Sequence, residues 1–428
     1  MKKVLLILCS LVFGLWFLNC QAQQAKITVK NPIDKVRFNE MVEIDAAQLE
    51  NITTNSFIVT DADGKEIPSQ FTYDKKIIFR ASVAPKGSSI YHIYSINYIN
   101  GGKPQTYEPQ VFGRYFPERV DDIAWENDKV AFRTYGPALQ KNNERAYGFD
   151  LWNKRTDKLV VEARYAGELD PNVTAAIKKL REMGKGDLAD DVYNAVSYHV
   201  DHGNGMDCYK VGYTLGCGTP ALMTKEGAIV YPWCWKEYQI LDNGPLRFTV
   251  KLVYNPTTVD GVQVTETRIV SLDAGSHFNK CTATYEVEGQ PSNSVDLTIA
   301  AGIVVHKENP NAFVLNEKDG YMGYEDLGDP NQYKEKYRAV QNKDFGQIYV
   351  GALFPQKDIK MQYLEEAGLP GANGHILGIQ KAQTLTYYFG SGWSRNPQTE
   401  FTSLTKWEAY LSDMAAKVRN PLMVKIKK

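Results

Sequence analysis

The segment from Ser197 to Tyr213, SYHVDHGNGMDCYKVGY, gathers two of the chain's six histidines with two aspartates, three tyrosines and three glycines. Imidazole titrates near neutral pH, a phenol exchanges its proton when cations lower its pKa, and glycine lets backbone approach a ligand closely. If residues 197–201 end a strand, alternation places His199 and Asp201 on one face as an oriented acid/base pair and leaves His202 at the turn to meet a substrate. Asp207 and Tyr209 follow on the same run. The segment also reads as a Gly-rich turn whose Asp and His side chains cap backbone groups. His199, His202 and Asp207 are permitted ligand types for a divalent metal, with His306 joining from a distant strand. No recognised metal spacing supports that, so no cofactor is expected and a metal at this segment stays an alternative.

Other candidates lie on strand-like runs. His306 ends the apolar run IAAGIVVH, as a catalytic group or a buried structural histidine. Arg133, Arg247 and Arg268 sit in strands, where a positive charge needs a carboxylate or a ligand, and each could clamp an acidic sugar through two hydrogen bonds. Arg268 could equally pair with Glu266. Trp393, in a Gly-Ser turn, is a sugar-stacking platform or a plug at the end of a core. His277, after Gly275-Ser276, is expected at the surface. Removal of a proton beside a uronate carboxylate needs a base, an acid and a neutralising cation, roles that His199, His202, Tyr209 and Arg268 could fill. Hydrolysis would want two opposed carboxylates, from Asp201, Asp207, Glu237 and Glu266. Sugar epimerisation would pair His306 or His202 with Glu266.

The elements that must position these groups are mostly strands. Residues 25–107 alternate short apolar runs with turns, among them SFIVTDADGKEI with Asp63-Gly64 at its bend, and predict a small antiparallel sandwich ending in a linker near Pro104–Pro109. From Val111 onward, IAWENDKVAFRT, FDLWNKRTDKLVVEARY, GPLRFTVKLVY and VTETRIVSLDAGSHFNKCTATYEV predict long strands in large stacked sheets. One helical insertion interrupts them: Asp170-Pro171 is a capping carboxylate followed by a proline at the first helical position, and the residues to Ala195 have helix-forming composition ending near Gly184–Gly186. The final KWEAYLSDMAAKVR predicts an amphipathic helix with Trp407, Tyr410, Leu411 and Met414 on its sheet-facing side.

Met1-Lys2-Lys3 followed by the apolar run Val4–Leu18 has the order of a secretory signal and is too short for a membrane span. Processing is expected after Ala22, or before Cys20 with a lipid anchor on that cysteine, which gives residues 1–22 as signal, 23–110 as sandwich and 111–428 as the larger domain. The location expected is the periplasm or, for a lipoprotein, the outer membrane. With 49 basic and 50 acidic residues no field favours nucleic acid. The 26 tyrosines offer surface for sugar stacking, and β-sheets favour tyrosine in any case. Cys208 and Cys217 could close a short disulfide loop, or Cys208, Cys217, Cys234 and Cys281 could all be small buried residues.

The strand pairs GPLRFTVKLVY and VTETRIVSLDAGSHFNKCTATYEV resemble those of the galactose-mutarotase-like supersandwich. With the YGPAL, YHVDHGNGMDCYKVG and YYFGSGWS segments, nearly the whole mature chain resembles a Bacteroidetes family known as domain of unknown function 4861, whose members are typically encoded beside pectin- and uronate-degrading enzymes. The resemblance implies an all-β fold, a small N-terminal β-sandwich plus a β-supersandwich with a helical insertion. It also implies a carbohydrate partner containing uronate, acted on by a lyase or hydrolase. It brings no catalytic residues. Those expected from the residues are His199, His202, Tyr209, Asp207, His306 and Arg268, with Arg133, Asp201 and Trp393 binding substrate; a mutarotase-type epimerase and a non-catalytic glycan binder are the alternatives.

Overall fold

The structure, a computed structural model, describes residues 24–49, 52, 57–95, 105–141, 145–291, 295, 297–327 and 345–427. The export segment and Cys20 lie outside the described residues.

Two small sheets face each other near the start of the chain. Gln24–Lys30, Ser88–Ser95, Phe57–Thr60 and Glu66–Ile67 pair in one, and Arg37–Asp45, Lys76–Val83 and Ser69–Phe71 in the other. Strand alternation sends Ile27, Val42, Val59, Ile77, Phe79 and Ile93 into the space between them. The DADG bend closes because the Asp61 carboxylate accepts the N–H groups of Asp63 and Lys65 at 3.0 and 2.9 Å. The strand Met423–Lys427 pairs antiparallel with Gln24–Lys30, so the far end of the chain forms an edge of the sheet that opens it.

The larger part is built on a nine-stranded antiparallel sheet with Val262–Asp273, Phe278–Val287 and Thr384–Trp393 at its middle. Two five-stranded sheets pack against it. One holds Val111–Phe116, Asp122–Asn127, Ala131–Thr134, Asp150–Lys154 and Gly205–Met206; the other holds Ile229–Val230, Cys217–Met223, Thr298–His306, Ala372–Lys381 and Lys360–Glu365. The core between them is aromatic: Trp125 stacks on Phe248 with ring centroids 6.0 Å apart, and Phe149 on Phe389 at 4.8 Å. This is the expected all-β architecture of stacked sheets. The two five-stranded sheets meet at a parallel bridge between Phe149 and Gly216. Glycine is required there, since a Cβ on Gly148 would lie 2.2 Å from the Leu215 carbonyl carbon and one on Gly216 2.1 Å from the Phe149 oxygen.

Five α-helices are described: α1 (Pro137–Lys141), α2 (Val161–Glu168), α3 (Pro171–Glu182), α4 (Gly186–Asn194) and α5 (Leu404–Arg419). Helix α3 starts as expected, with the Asp170 carboxylate accepting the Asn172 N–H at 2.7 Å and Pro171 in the first turn. Helix α2 corrects the strand expected over LVVEARY. Val161, Arg164 and Tyr165 are buried at helical spacing, and Val161 and Tyr165 pack with Phe116 and Trp152 on the sheet beneath.

Helix α5 lies on the face of the nine-stranded sheet away from the main core. Its Leu411 and Trp407 sit over Gly323 and Gly351, where a Cβ would come within 2.5 Å of Leu411, and the Trp407 indole donates to the Val350 carbonyl at 3.0 Å. His277 belongs to this layer and is buried, against the expectation of a surface residue: its Nδ1 contacts the Ser391 carbonyl at 2.9 Å, its ring meets Phe401 and Tyr410, and burial lowers its pKa to about 4.

Candidate functional site

The 197–209 segment supplies the edge strand Gly205–Met206 beside Asp150–Lys154 in the first five-stranded sheet and brings Asp207 to Arg133. The Arg133 guanidinium donates to Asp207 at 2.9 Å, to Asp150 through Nε at 2.8 Å and to the Tyr135 hydroxyl at 3.1 Å, and faces Asp122 at 3.7 Å. Arg119 stands behind, bonded to the Tyr198 hydroxyl at 3.2 Å. Two guanidinium groups thus face three buried carboxyls, one negative charge too many if all ionise. Burial pushes Asp150 up to about 7 and Asp122 and Asp207 up to about 6, against the pull of Arg133. The cluster therefore holds a proton near neutral pH. It is sealed: Arg133, Asp122, Asp150 and Asp207 are all buried.

The other polar groups of the segment are spent locally. His199 Nδ1 meets the Asp207 carbonyl at 2.9 Å and lies 3.8 Å from its carboxylate. His202, exposed at the turn, has Nε2 at 3.1 Å from the Ser197 carbonyl. Asp201 caps the N–H groups of Gly203 and Gly205 and pairs with Arg155 at 2.9 Å rather than with His199. Among the described residues no group of three or more His, Cys, Asp or Glu side chains is disposed to hold a metal ion.

Tyr209 and His306 meet elsewhere. The two rings are edge to face with centroids 5.7 Å apart, and His306 Nδ1 lies 3.0 Å from both oxygens of Asp326. Burial alone would lower the His306 pKa, and the Asp326 carboxylate outweighs it and raises it. Arg268 joins neither group: its strand turns Glu266 and Arg268 inward, where Arg268 bonds Glu266 and the Pro220 carbonyl at 3.0 Å, with Tyr285 on the same carboxylate at 3.0 Å. That inward ion pair breaks the apolar alternation of VQVTETRIV. Trp393 is the plug rather than the platform, buried with its indole donating to the Phe345 carbonyl at 2.7 Å. Cys208, Cys217, Cys234 and Cys281 are free and buried, so the Cys208–Cys217 disulfide is not formed.

An aromatic surface that the sequence reading did not single out stands where the two five-stranded sheets join. Tyr147 precedes the Gly148–Phe149 junction, Tyr213 precedes Gly216, and Tyr231 and Trp233 follow the Ile229–Val230 strand. The Tyr147 ring lies 5.5 Å from Tyr231, 6.4 Å from Tyr213 and 6.4 Å from Trp233 between centroids. Trp233 keeps 47% and Tyr213 39% of its surface open to solvent, and the Arg145 guanidinium is 5.9 Å from the Trp233 ring. The floor is hydrogen-bonded. The Tyr231 hydroxyl donates to Glu366 at 2.7 Å, His375 Nδ1 donates to the other Glu366 oxygen at 2.5 Å, and His375 Nε2 accepts the Leu215 N–H at 3.1 Å. The Leu215 donor fixes the tautomer, and burial lowers the His375 pKa so that the ring is neutral. Burial would raise the Glu366 carboxyl, but the hydrogen bonds from His375 and Tyr231 hold it below its ordinary range as an anion. The YPWCW run was the available signal, though its partners lie far away in sequence.

An all-β sandwich with a helical insertion, an enclosed acidic cluster and an open aromatic surface defines the class. The chain belongs to the family described as domain of unknown function (DUF4861), whose family model matches residues 29–424. It is 25% identical over 433 residues, 96% of each chain, to uncharacterized protein P7 of Formosa agariphila. Among solved structures it is similar to an alpha-mannosidase from Enterococcus faecalis, with TM-score 0.46 and 9% identity over 95% of this chain, and to a glycosyl hydrolase family 38 protein from the same organism, with TM-score 0.43, 10% identity and the same coverage. The chain spans about half the length of those two structures, 46% and 47%.

Proposed function

We propose that this is an exported, carbohydrate-active protein that holds a glycan against the aromatic surface of Tyr147, Tyr213, Tyr231 and Trp233. The observation that carries the reading is the exposure of Trp233 and Tyr213 in a cluster whose floor is fixed by the Tyr231–Glu366–His375 hydrogen bonds. Flat rings open to water lose little on folding and gain when the apolar face of a sugar covers them, while Arg145 beside them offers a donor for hydroxyls. The lyase or hydrolase chemistry expected from the sequence needs acid and base groups that a substrate can reach. Arg133, Asp207, Tyr209 and Arg268 are buried, so glycan recognition is the part of that expectation with a surface to support it.

Calorimetric titration of the processed chain with a panel of acidic and neutral oligosaccharides tests the reading. At least one should bind, and Trp233→Ala should weaken it about tenfold with the far-ultraviolet circular dichroism unchanged. Unaltered affinity in Trp233→Ala for every sugar that binds would remove the surface from the function. Export belongs to the same proposal. Intact mass of the secreted and membrane fractions should show cleavage after Ala22, or before Cys20 with an added lipid, and an unprocessed cytoplasmic chain would refute it.

A further inference from the structure

The sheet that opens the chain has one face on the sandwich core and one turned to water. Alternation sends Ile27, Val29, Tyr91 and Ile93 into the core and puts Lys26, Thr28, Lys30, Ile90, His92 and Tyr94 on the outer face. The register fixes which of these stand side by side. Lys427, Lys26 and His92 make one row across three strands, Lys425, Thr28 and Ile90 the next, and Met423, Lys30 and Ser88 the last. Lys26, Lys30, Lys425 and Lys427 are exposed on this face, and among the described residues none of them lies within ion-pair distance of a carboxylate. The five strands of the sheet carry one acid, Glu66, at the far end of the Lys26 row. That carboxylate already accepts the Gln105 N–H at 2.9 Å and the Tyr107 hydroxyl at 3.1 Å.

In a chain of 49 basic and 50 acidic residues this is a local excess of positive charge. Protection of an edge strand accounts for Lys425 and Lys427. It does not account for Lys26 and Lys30, whose strand is paired on both sides. Lys26 also stands directly opposite Lys427, and like charges in that relation oppose folding. An anion laid across the rows relieves the repulsion. Beside the lysines runs a flatter strip, in which Ile90, His92 and Tyr94 are half-buried and the His92 and Tyr94 rings lie 6.2 Å apart. Rings flush with a sheet suit the apolar side of a sugar, whereas a bilayer is entered by apolar side chains that protrude.

We propose that this outer face binds an acidic polysaccharide, with its carboxylate or sulfate groups against Lys26, Lys30, Lys425 and Lys427 and its rings along Ile90, His92 and Tyr94. The charge of the ligand follows from the lysines, and its being a polysaccharide rests on the carbohydrate reading above. An ammonium is a point charge without the fixed fork of a guanidinium, so the face selects for charge rather than for one linkage, and its hold weakens as salt screens it.

The test titrates the full chain with polygalacturonate, alginate and dextran sulfate, with neutral dextran beside them. At about 50 mM salt at least one acidic polymer should bind at least about tenfold tighter than dextran, and by about 200 mM salt its affinity should have fallen at least about tenfold. Lys26→Gln/Lys427→Gln should weaken that binding about tenfold and flatten its salt dependence. Lys178→Gln/Lys179→Gln removes the same charge from the exposed side of α3 and should leave it unchanged. Absence of acidic-polymer binding, full affinity in Lys26→Gln/Lys427→Gln, or an equal loss in the α3 pair overturns the proposal. So would phosphatidylglycerol vesicles that bind through the same lysines when no polysaccharide does, since the ligand would then be a membrane. The aromatic surface is read separately through Trp233→Ala and short oligosaccharides. If that variant loses nothing while polymer binding still depends on Lys26 and Lys427, the aromatic surface falls and the lysine face stands.

Discussion

Two aromatic clusters of this molecule use the same kinds of ring and differ in what lies over them. Beneath α5, Phe278, Tyr349, Phe401 and Trp407 stack between the helix and the nine-stranded sheet, and Trp407 is wholly buried. At the junction of the two five-stranded sheets, Tyr147, Tyr213, Tyr231 and Trp233 make comparable contacts, and none of the described elements covers Trp233. The first cluster derives its stability from burial. The second has to be held by hydrogen bonds on its floor, because rings left in water stabilise the fold less. Cover thus separates rings that make the structure from rings available to a ligand.

Exchanging one tryptophan from each cluster is the sharpest way to break that comparison. Trp407→Ala should destabilise the chain by about 3–5 kcal/mol in urea denaturation, since it empties a packed layer over Gly323 and Gly351. Trp233→Ala should change stability by no more than about 0.5 kcal/mol while weakening glycan binding about tenfold. Equal losses of stability in the two variants would show that cover does not distinguish the clusters.

The enclosed acids around Arg133 give the next effect, read as stability against pH. Their folded pKa values of about 6 to 7 lie above the ordinary aspartate value near 3.8, so the folded state binds more protons than the unfolded chain between those limits. Their contribution is fully present below the unfolded value and is lost as pH rises through about 6 to 7. Chemical denaturation between about pH 5 and 8 should show stability falling, and Asp150→Asn should flatten the slope. A slope unchanged in that variant would place the shared proton elsewhere. Smallest of all, Glu366→Gln should weaken glycan binding only about two- to threefold, because Tyr231 keeps an acceptor but loses a charged one. A loss as large as that of Trp233→Ala would assign Glu366 a direct contact with the sugar.

The hairpins were legible because period-two alternation and turn residues are local signals, as at Asp61–Gly64 and Asn127–Asp128. Helix α2 was not, since the apolar density of LVVEARY suits either period until Val161, Arg164 and Tyr165 meet a partner sheet. Of the site, the sequence singled out Asp207, Arg133, Tyr209 and His306, and the structure joins the first two and the last two in separate groups. The aromatic surface was hidden because Tyr147 and Trp233 become neighbours only through the Gly148 and Gly216 contact, a feature of tertiary approach with no periodicity to betray it.

The pairing of Met423–Lys427 with Gln24–Lys30 makes the first sheet dependent on a strand from a distant part of the chain. Without that partner the Gln24–Lys30 strand carries an unpaired row of backbone donors and acceptors, and an isolated N-terminal sandwich would be sticky at that edge. Once Lys425 and Lys427 close it, their charges line the new edge and discourage further strands from adding. A copy of the chain that lacks Met423–Lys427 would bare that edge and should aggregate there.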